Sequence, residues 1–135
     1  MKPSPQNDPR RLRQIKPSNL LSFGPDTPSL DLESLNVFIG PNGSGKSNLI
    51  EALALMRATP VPPQTMSNAD VRGVVRRGGG ANEWIWKGAK DRPASVELVV
   101  NNPKGPQPLR HFLAFHSDEQ GFRLHDERVE HQASY

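Results

Sequence analysis

The stretch from Asn36 to Arg57, NVFIGPNGSGKSNLIEALALMR, constrains the fold more than any other part of the chain. It begins with a β-branched and aromatic run that ends at Gly40, a pattern typical of a buried strand. After a glycine-rich turn, apolar residues recur at helical spacing and predict a helix from about Lys46 to Arg57. Pro60 and the prolines after it cannot continue a helix. The stretch therefore predicts a strand–loop–helix unit.

The turn matches the pattern G-x-x-x-x-G-K-[ST], the Walker A phosphate loop, without deviation. Its glycines let the backbone approach a phosphate closely, and successive N–H groups then form a nest for anionic oxygens. The positive end of the following helix adds to this attraction. Lys46 is expected to reach the β- and γ-phosphates, and the Ser47 hydroxyl to ligate Mg²⁺. We predict that ATP and Mg²⁺ are bound by Gly40, Pro41, Asn42, Gly43, Ser44, Gly45, Lys46, Ser47 and Asn48.

Composition excludes several other classes of protein. The 135 residues are enough for one domain with a modest core. There is no cysteine, which removes disulfides, a thiol nucleophile and a cysteine zinc site. No apolar run approaches the ~20 residues of a membrane helix, and the N-terminus lacks a signal-peptide apolar region. We therefore expect a cytoplasmic protein without a membrane partner. The four histidines show no spacing that would predict a metal site.

The net charge of +3 is unevenly distributed along the chain. Residues 1–13 are polar, basic and rich in proline, so we predict a disordered basic leader. A second basic group lies further along the chain at Arg72, Arg76 and Arg77. Such groups could contact the phosphates of DNA or RNA, although a solvated tail and a solvated loop are the favoured interpretation.

The remaining sequence predicts an antiparallel sheet. A strand is expected within 14–24, and "LDLESL" predicts a second strand or its connection. A short helix is expected near 68–76. Alternating apolar residues in "EWIWKG", "SVELVV", "LRHFLAF" and "FRLHDERVE" predict three to four strands joined by turns. In the first of these, Trp84 and Trp86 share one strand face, where core packing is favoured over stacking on a base.

At "GPNGSGKSNLIEAL", preceded by "NLLSFG", the sequence resembles the N-terminal part of ABC-type ATPases of the RecF, SMC and Rad50 group. More narrowly, it resembles bacterial AAA-type ATPases linked to DNA repair or phage defence, a likeness that "GGGANEWIWKG", "LRHFLAF" and "DERVE" extend. The resemblance implies an α/β fold over 14–135: the N-terminal lobe of a P-loop NTPase with an adjoining antiparallel β-subdomain. It implies ATP hydrolysis and a homodimer of ATPase heads. It also implies that Ser22 and Phe23 lie near the base and ribose, and Lys16 near the phosphates.

Other working parts of that group are not found in the sequence. A Walker B strand needs an apolar run that ends in an acid, but "VELVVNN" ends in Asn101 and "HDERVE" lacks the apolar residues. No "LSGGQ"-like signature occurs either. We therefore assign no catalytic residue and expect residues 1–135 to hydrolyse ATP poorly or not at all. The apolar strand 36–39 also needs parallel neighbours, which leads us to expect an incomplete ATPase domain.

Two alternatives from other classes stay open. The chain could be a short nucleotide-binding or sensing module without hydrolysis. It could also be a nucleic-acid-contacting protein that uses its basic segments, with DNA as partner. Tight ATP binding without turnover favours the first, and salt-sensitive DNA binding that survives Lys46→Ala favours the second. A GTPase is disfavoured because "NPKG" does not match the Asn-Lys-x-Asp segment that guanine recognition requires.

Overall fold

The computed structural model describes residues 9–41, 45–62 and 69–132. Within these ranges the chain forms one five-stranded sheet and three helices. The strands are β1 (Leu12–Ser18), β2 (Leu30–Asp31), β3 (Ala94–Val100), β4 (Leu109–Asp118) and β5 (Gly121–His131). The helices are α1 (Lys46–Arg57), α2 (Val71–Arg77) and α3 (Ala81–Trp84).

The sheet is antiparallel throughout, with the strand order β2-β1-β3-β4-β5. The predicted run of antiparallel strands is confirmed by β3, β4 and β5, which are consecutive in sequence and adjacent in the sheet. Strand β1 lies between β2 and β3. Its pairing with β3 joins residues that are far apart in the sequence, such as Ile15 and Leu98. The β1 strand begins at Leu12, inside the segment predicted to be a leader, and residues 1–8 lie outside the described residues.

The core lies between one face of the sheet and the helices. Alternate residues of the central strands point to this inner face, including Ile15, Leu113 and Phe115, whose side chain is 0% exposed. The Phe115 ring stacks on Phe122 of the neighbouring strand, with 5.2 Å between the ring centroids. The helices contribute buried residues at helical spacing, among them Ala52, Leu55, Val75 and Trp84. The amphipathic period of each element therefore decides which face it buries.

The predicted strand at 36–39 is wrong for the described structure. Residues 35–41 form neither strand nor helix, and the side chains of Val37 and Ile39 are 74% and 92% exposed. An apolar strand of this kind is stable only when neighbouring parallel strands pair with its edges and helices cover both of its faces. Among the described residues every paired strand is antiparallel, so these neighbours are missing. The "LDLESL" prediction is confirmed only in β2, which has two residues.

The predicted strand at "EWIWKG" is also wrong. Residues Ala81–Trp84 form the short helix α3, and Ile85 makes an isolated bridge with Leu20. Trp84 is 3% exposed, and its indole Nε1 donates to the carbonyl of Val75 at 3.1 Å. Trp86 is half-buried and packs beside Gly24. The two indoles do not share a strand face, and the predicted core role of Trp84 is confirmed.

The opposite, outer face of the sheet is polar and carries an ion-pair network. Arg110 contacts Glu97 through Nε at 2.7 Å and Nη2 at 3.0 Å, and Glu130 through Nη1 at 2.7 Å. The hydrogen bond with Glu97 is the main cause that raises the pKa of Arg110 above its ordinary value. The guanidinium groups of Arg110 and Arg128 lie 5.1 and 5.2 Å from the centroid of the Phe112 ring. These contacts let the outer face remain in water.

The turn between β4 and β5 gives this hairpin a sensitivity to acid. Asp118 accepts from Arg123 Nε at 2.6 Å and from the Gln120 backbone N–H at 2.7 Å, and both bonds lower its pKa. A depressed folded-state pKa adds stability above the unfolded pKa, and that stability is lost as pH falls through the folded pKa.

We expect Asp118→Asn to reduce the fall in Tm as the pH drops below about 4, the ordinary pKa of an aspartate, because the substituted side chain no longer titrates. Thermal melts followed by circular dichroism at a series of pH values measure this effect. The matched control is Glu119→Gln at the neighbouring exposed carboxylate, which should leave the pH profile close to that of the wild type. An unchanged acid sensitivity in Asp118→Asn would contradict the assignment.

Candidate phosphate-binding site

The start of α1 has the properties that the phosphate-loop motif requires. The helix begins at Lys46, as predicted, and Gly45 is its N-cap residue. No side chain caps the first turn and no acidic residue lies in it. The free N–H groups and the positive end of the 12-residue helix therefore remain available to an anion. The predicted contacts at Asn42, Gly43 and Ser44 lie outside the described residues.

Gly45 is favoured here by its backbone conformation. Its φ of 98° lies in the left-handed region, where a side chain is strained. A Cβ at this position would lie 3.4 Å from Ser22 Oγ and 3.6 Å from the Phe23 ring, which are ordinary contact distances. Gly45 therefore lies beside the turn that follows β1, and its φ is the reason that a glycine is needed.

The described side chains of the phosphate-loop motif and of Asn48 point to different surroundings. The Lys46 ammonium donates to the carbonyl of Gly40, so it lies across the loop from one end to the other. Ser47 is exposed. Asn48 Nδ2 donates to Ser22 Oγ at 2.7 Å and links the helix to the turn after β1. Gly40 is half-buried and Pro41 is exposed at the edge of the described loop.

The turn that carries Ser22 and Phe23 is anchored by Asn19. This buried residue has a φ of 53°, and its Nδ2 donates to the carbonyls of Ala89 and Arg92 at 2.9 and 3.0 Å. Sequence reasoning missed Asn19 as a positioning residue. The sequence offered one signal for this role, an asparagine within the apolar segment that follows β1. Asparagine adopts a left-handed backbone conformation more readily than most residues, so its presence there indicates a tight turn.

An apolar recess of ≈ 380 Å³ lies directly beside the start of α1; we call it the Phe23 recess. Its lining includes Phe23, Thr27, Val37 and Leu49, with Gly45 and Lys46 where it meets the helix. Among the described residues, no carboxylate and no histidine lines it. The structure thus brings Phe23, one of the residues expected near the base, to the phosphate loop.

Lys16 does not join this group. Lys16 is exposed, and its two neighbours in β1, Ile15 and Pro17, are buried. Of these three residues, Pro17 alone lines the Phe23 recess. Because successive side chains of a strand point to opposite faces, the Lys16 side chain leaves the strand on the side away from Pro17. The expectation that Lys16 approaches the phosphates is therefore not met by this structure.

Several basic side chains of the two predicted groups make contacts within the fold. Arg10 Nη1 donates to the Leu32 carbonyl at 3.2 Å, and Arg13 Nε donates to Asn101 Oδ1 at 2.6 Å. The Arg72 guanidinium lies 5.4 Å from the centroid of the Phe122 ring. Arg76 and Arg77 are exposed in the last turn of α2. Arg10, Arg13 and Arg72 therefore each make a contact within the fold.

Two other features are absent from the described residues. No group of three or more histidine, aspartate or glutamate side chains in these ranges could hold a metal ion. No helix in the same ranges has both the length and the apolar composition needed to cross a bilayer.

The Gly40–Ser47 motif, which ends at the start of α1, is the feature that points to the class of P-loop ATPases. Residues 35–131 match the protein family described as "AAA domain, putative AbiEii toxin, Type IV TA system". The match covers most of the chain and includes the loop, all three helices and strands β3 to β5. The chain belongs to this AAA family.

A curated relative extends the comparison to the SMC proteins. The chain is 33% identical over 96 residues to the chromosome partition protein Smc of Cereibacter sphaeroides. The alignment covers 68% of this chain but 7% of the Smc protein. The resemblance to P-loop ATPases of the RecF and SMC group is therefore confirmed. Because the chain spans a small part of that relative, the relative's activity as a whole protein is not transferred by this alignment.

Proposed function

We propose that the chain binds ATP with Mg²⁺ through residues 40–48, as the N-terminal part of an ATPase that hydrolyses ATP when complete. The observation that carries the proposal is the Gly40–Ser47 motif, which ends in the uncapped N-terminal turn of α1. Membership of an AAA family and similarity to an SMC protein support the same class of ligand.

The described residues fit the phosphates of a nucleotide. Left-handed Gly45 and the free N–H groups of the first helical turn favour an anion. The Lys46 ammonium, bound to the Gly40 carbonyl, lies across the same loop and needs only a rotation of its flexible stem to reach a phosphate. The hydroxyl of Ser47, an exposed residue, is an oxygen ligand of the type that Mg²⁺ prefers.

The Phe23 recess is the proposed position of the base. Its apolar lining suits the flat face of a purine, and an aromatic ring such as Phe23 can stack on one. The recess begins at Gly45 and Lys46, so a base placed there leaves its phosphates at the start of α1. The proposal for Ser22 is a contact near the ribose, supported by its hydrogen bond with Asn48.

Binding without turnover is the expected behaviour of residues 1–135. Hydrolysis needs a group that positions the attacking water, and in P-loop ATPases an acid also helps to hold Mg²⁺. No carboxylate from the described part of the chain lines the Phe23 recess. We propose that the complete protein supplies this acid from another segment and acts as a homodimer of ATPase heads, with a role in DNA repair or phage defence.

We expect ATP and ADP to bind at least about tenfold more tightly than AMP, because contacts to charged phosphates contribute about 1.5–3 kcal/mol each. Isothermal titration of residues 1–135 with ATP, ADP, AMP and adenosine measures this order. Equal affinity for adenosine and ATP would contradict a phosphate site. Metal-dependent turnover by the pure chain, abolished by Lys46→Ala, would contradict the expected lack of hydrolysis.

A separate test addresses the metal. Ser47→Ala should weaken ATP binding by several-fold to about tenfold in Mg²⁺ and leave it unchanged in EDTA, because the hydroxyl acts through the cation. The matched control is Ser29→Ala at an exposed serine in the turn before β2. A loss of affinity for Ser47→Ala that is equally large in EDTA would overturn the assigned role of the hydroxyl.

A further inference from the structure

The strand β5 ends the sheet with a long open edge. It has 11 residues, Gly121–His131, and among the described residues β4 is its only partner. The Gln132 N–H donates to the Pro108 carbonyl at 2.8 Å, next to the paired residues Leu109 and His131. Hydrogen-bonded pairs alternate along an antiparallel ladder. The N–H and C=O groups of Glu127, Val129 and His131 therefore point away from β4 toward the open edge.

A bulge defines which part of this edge is regular. Ala114 pairs with Asp126 while Phe115 pairs with Leu124, so His125 is left without a partner on β4. Such a bulge bends a strand and interrupts its ladder. The residues 126–132, beyond the bulge, keep unbroken register with β4 and form the usable segment; we call it the β5 edge segment.

The β5 edge segment alternates in charge on the outer face of the sheet. Asp126, Arg128 and Glu130 lie there, opposite the outer-face residues of β4. Arg128 Nε contacts Asp126 Oδ2 at 2.8 Å, and Arg128 Nη1 lies 3.9 Å from Glu130 Oε1. Val129 lies between them on the inner face and is 62% exposed. Because the N–H and C=O groups of Val129 and of its neighbours Glu127 and His131 point to the open edge, another strand can pair there.

We propose that a second copy of this chain pairs antiparallel with the β5 edge segment, with Val129 opposite Val129 of the second copy. In this register Arg128 lies opposite Glu130 of the second copy, and the two-fold axis repeats the pair with the roles exchanged. Glu127 lies opposite His131 of the second copy. Each cross-strand pair joins side chains on the same face, as an antiparallel ladder requires.

The charges select this register over its neighbours. A pairing centred on Arg128 places two arginines opposite each other and sets Asp126 against Glu130 of the second copy. A pairing centred on Glu130 places two glutamates opposite each other. Like charges directly opposite are destabilising, whereas opposite charges are stabilising. An edge protected by charges of one sign repels every register. The register centred on Glu127 also sets Arg128 against Asp126 of the second copy, but it places two glutamates opposite each other, whereas the register centred on Val129 has no like-charge pair.

The two-fold symmetric pair extends the sheet from five strands to ten. It covers Val129, uses the open N–H and C=O groups of three residues in each copy, and leaves the Phe23 recess untouched. The interface is small and exposed, so we expect weak association, with a dissociation constant on the order of 10–100 μM. The surface is distinct from the phosphate loop, and the pairing does not need nucleotide.

Sedimentation equilibrium of residues 1–135 without nucleotide tests the proposal. The chain should dimerise with concentration, and Arg128→Glu or Glu130→Arg alone should weaken the dimer at least about tenfold, because each creates two like-charge pairs. The double variant Arg128→Glu/Glu130→Arg should restore association, because it reverses both charges of each pair. Within one copy the double variant makes worse contacts with Asp126 and Arg110, so restoration can come only from the second copy.

Two further variants keep the result interpretable. Val129→Lys, at an exposed position where the fold tolerates the change, should abolish the dimer by placing two ammonium groups opposite each other. Glu119→Arg, in the turn outside the β5 edge segment, is the charge-matched control and should associate like the wild type. Circular dichroism confirms that each variant is folded.

Three results would overturn the proposal. The first is a monomer at all concentrations up to about 1 mM, well above the expected constant. The second is a dimer that Val129→Lys leaves intact. The third is a dimer that forms only with Mg·ATP and is lost in Lys46→Ala. In that case the two copies would associate through their nucleotide-binding sites and not through β5. Lys46→Ala should otherwise leave association unchanged, even if the proposed ATP binding fails.

Discussion

Replacing Lys46 by alanine is expected to weaken Mg·ATP binding about 10- to 100-fold, because charged hydrogen bonds contribute about 1.5–3 kcal/mol. In the described structure the Lys46 ammonium donates to the Gly40 carbonyl and is half-exposed. Loss of that contact costs the free protein little stability. The free energy of unfolding should therefore stay within about 0.5 kcal/mol of the wild-type value. Isothermal titration and urea denaturation measure the two quantities.

Lys90 offers a matched control for this prediction. Its ammonium also donates to a backbone carbonyl, that of Asn82, and it is exposed, but it does not line the Phe23 recess. Lys90→Ala removes the same charge from another place on the molecule. It should leave ATP affinity unchanged at physiological ionic strength, where distant surface charges are screened. Equal losses in Lys46→Ala and Lys90→Ala would mean that only net charge matters, and would overturn the phosphate site.

Replacing Trp84 by alanine should lower the free energy of unfolding by about 3–5 kcal/mol, because it removes the largest side chain of the core. Its indole is 3% exposed and fills the space above Gly78, where a Cβ would lie 2.4 Å from Nε1. It also satisfies the Val75 carbonyl. Since domains of this size are stable by about 5–15 kcal/mol, the variant should be close to unfolding. Urea denaturation followed by circular dichroism measures the loss.

Two companion variants separate packing from hydrogen bonding. Trp84→Phe keeps much of the ring volume and removes one of two donors to the Val75 carbonyl, which still accepts from the Gly80 N–H at 3.0 Å. We therefore expect a smaller loss of about 0.5–1.5 kcal/mol. Trp86→Ala should cost less than Trp84→Ala because Trp86 is only half-buried. If Trp84→Ala is no more destabilising than Trp86→Ala, the core role of Trp84 is wrong.

Local patterns predicted several elements correctly. The helix Lys46–Arg57 has the bounds expected from its apolar spacing and from the proline that stops it. Strands β3, β4 and β5 follow from alternation and from the turns between them, because each pairs with its neighbour in sequence. The phosphate loop was recognisable because its glycines and lysine are required by local backbone geometry and not by distant contacts.

Long-range pairing could not be predicted in the same way. Nothing in residues 12–18 indicates that β1 lies between β2 and β3, since that position depends on residues about eighty positions away. The same limit applies to Asn19, whose amide anchors the Phe23 turn to the carbonyls of Ala89 and Arg92. Such contacts join segments that are far apart in sequence, and their register depends on the packing of the complete core.

The amino-acid sequence alone predicts the phosphate-loop motif that contains Lys46 and Ser47, and it determined the helix that carries them, because both depend on neighbouring residues. The tertiary structure alone decided that the apolar run 36–39 is exposed and that Trp84 ends a helix. Apolar composition indicates that a segment can be buried, but burial requires a partner surface. For Trp84 that surface is formed by α2 and the sheet. For 36–39 the described residues provide no neighbouring strand, so the same kind of sequence remains in contact with water.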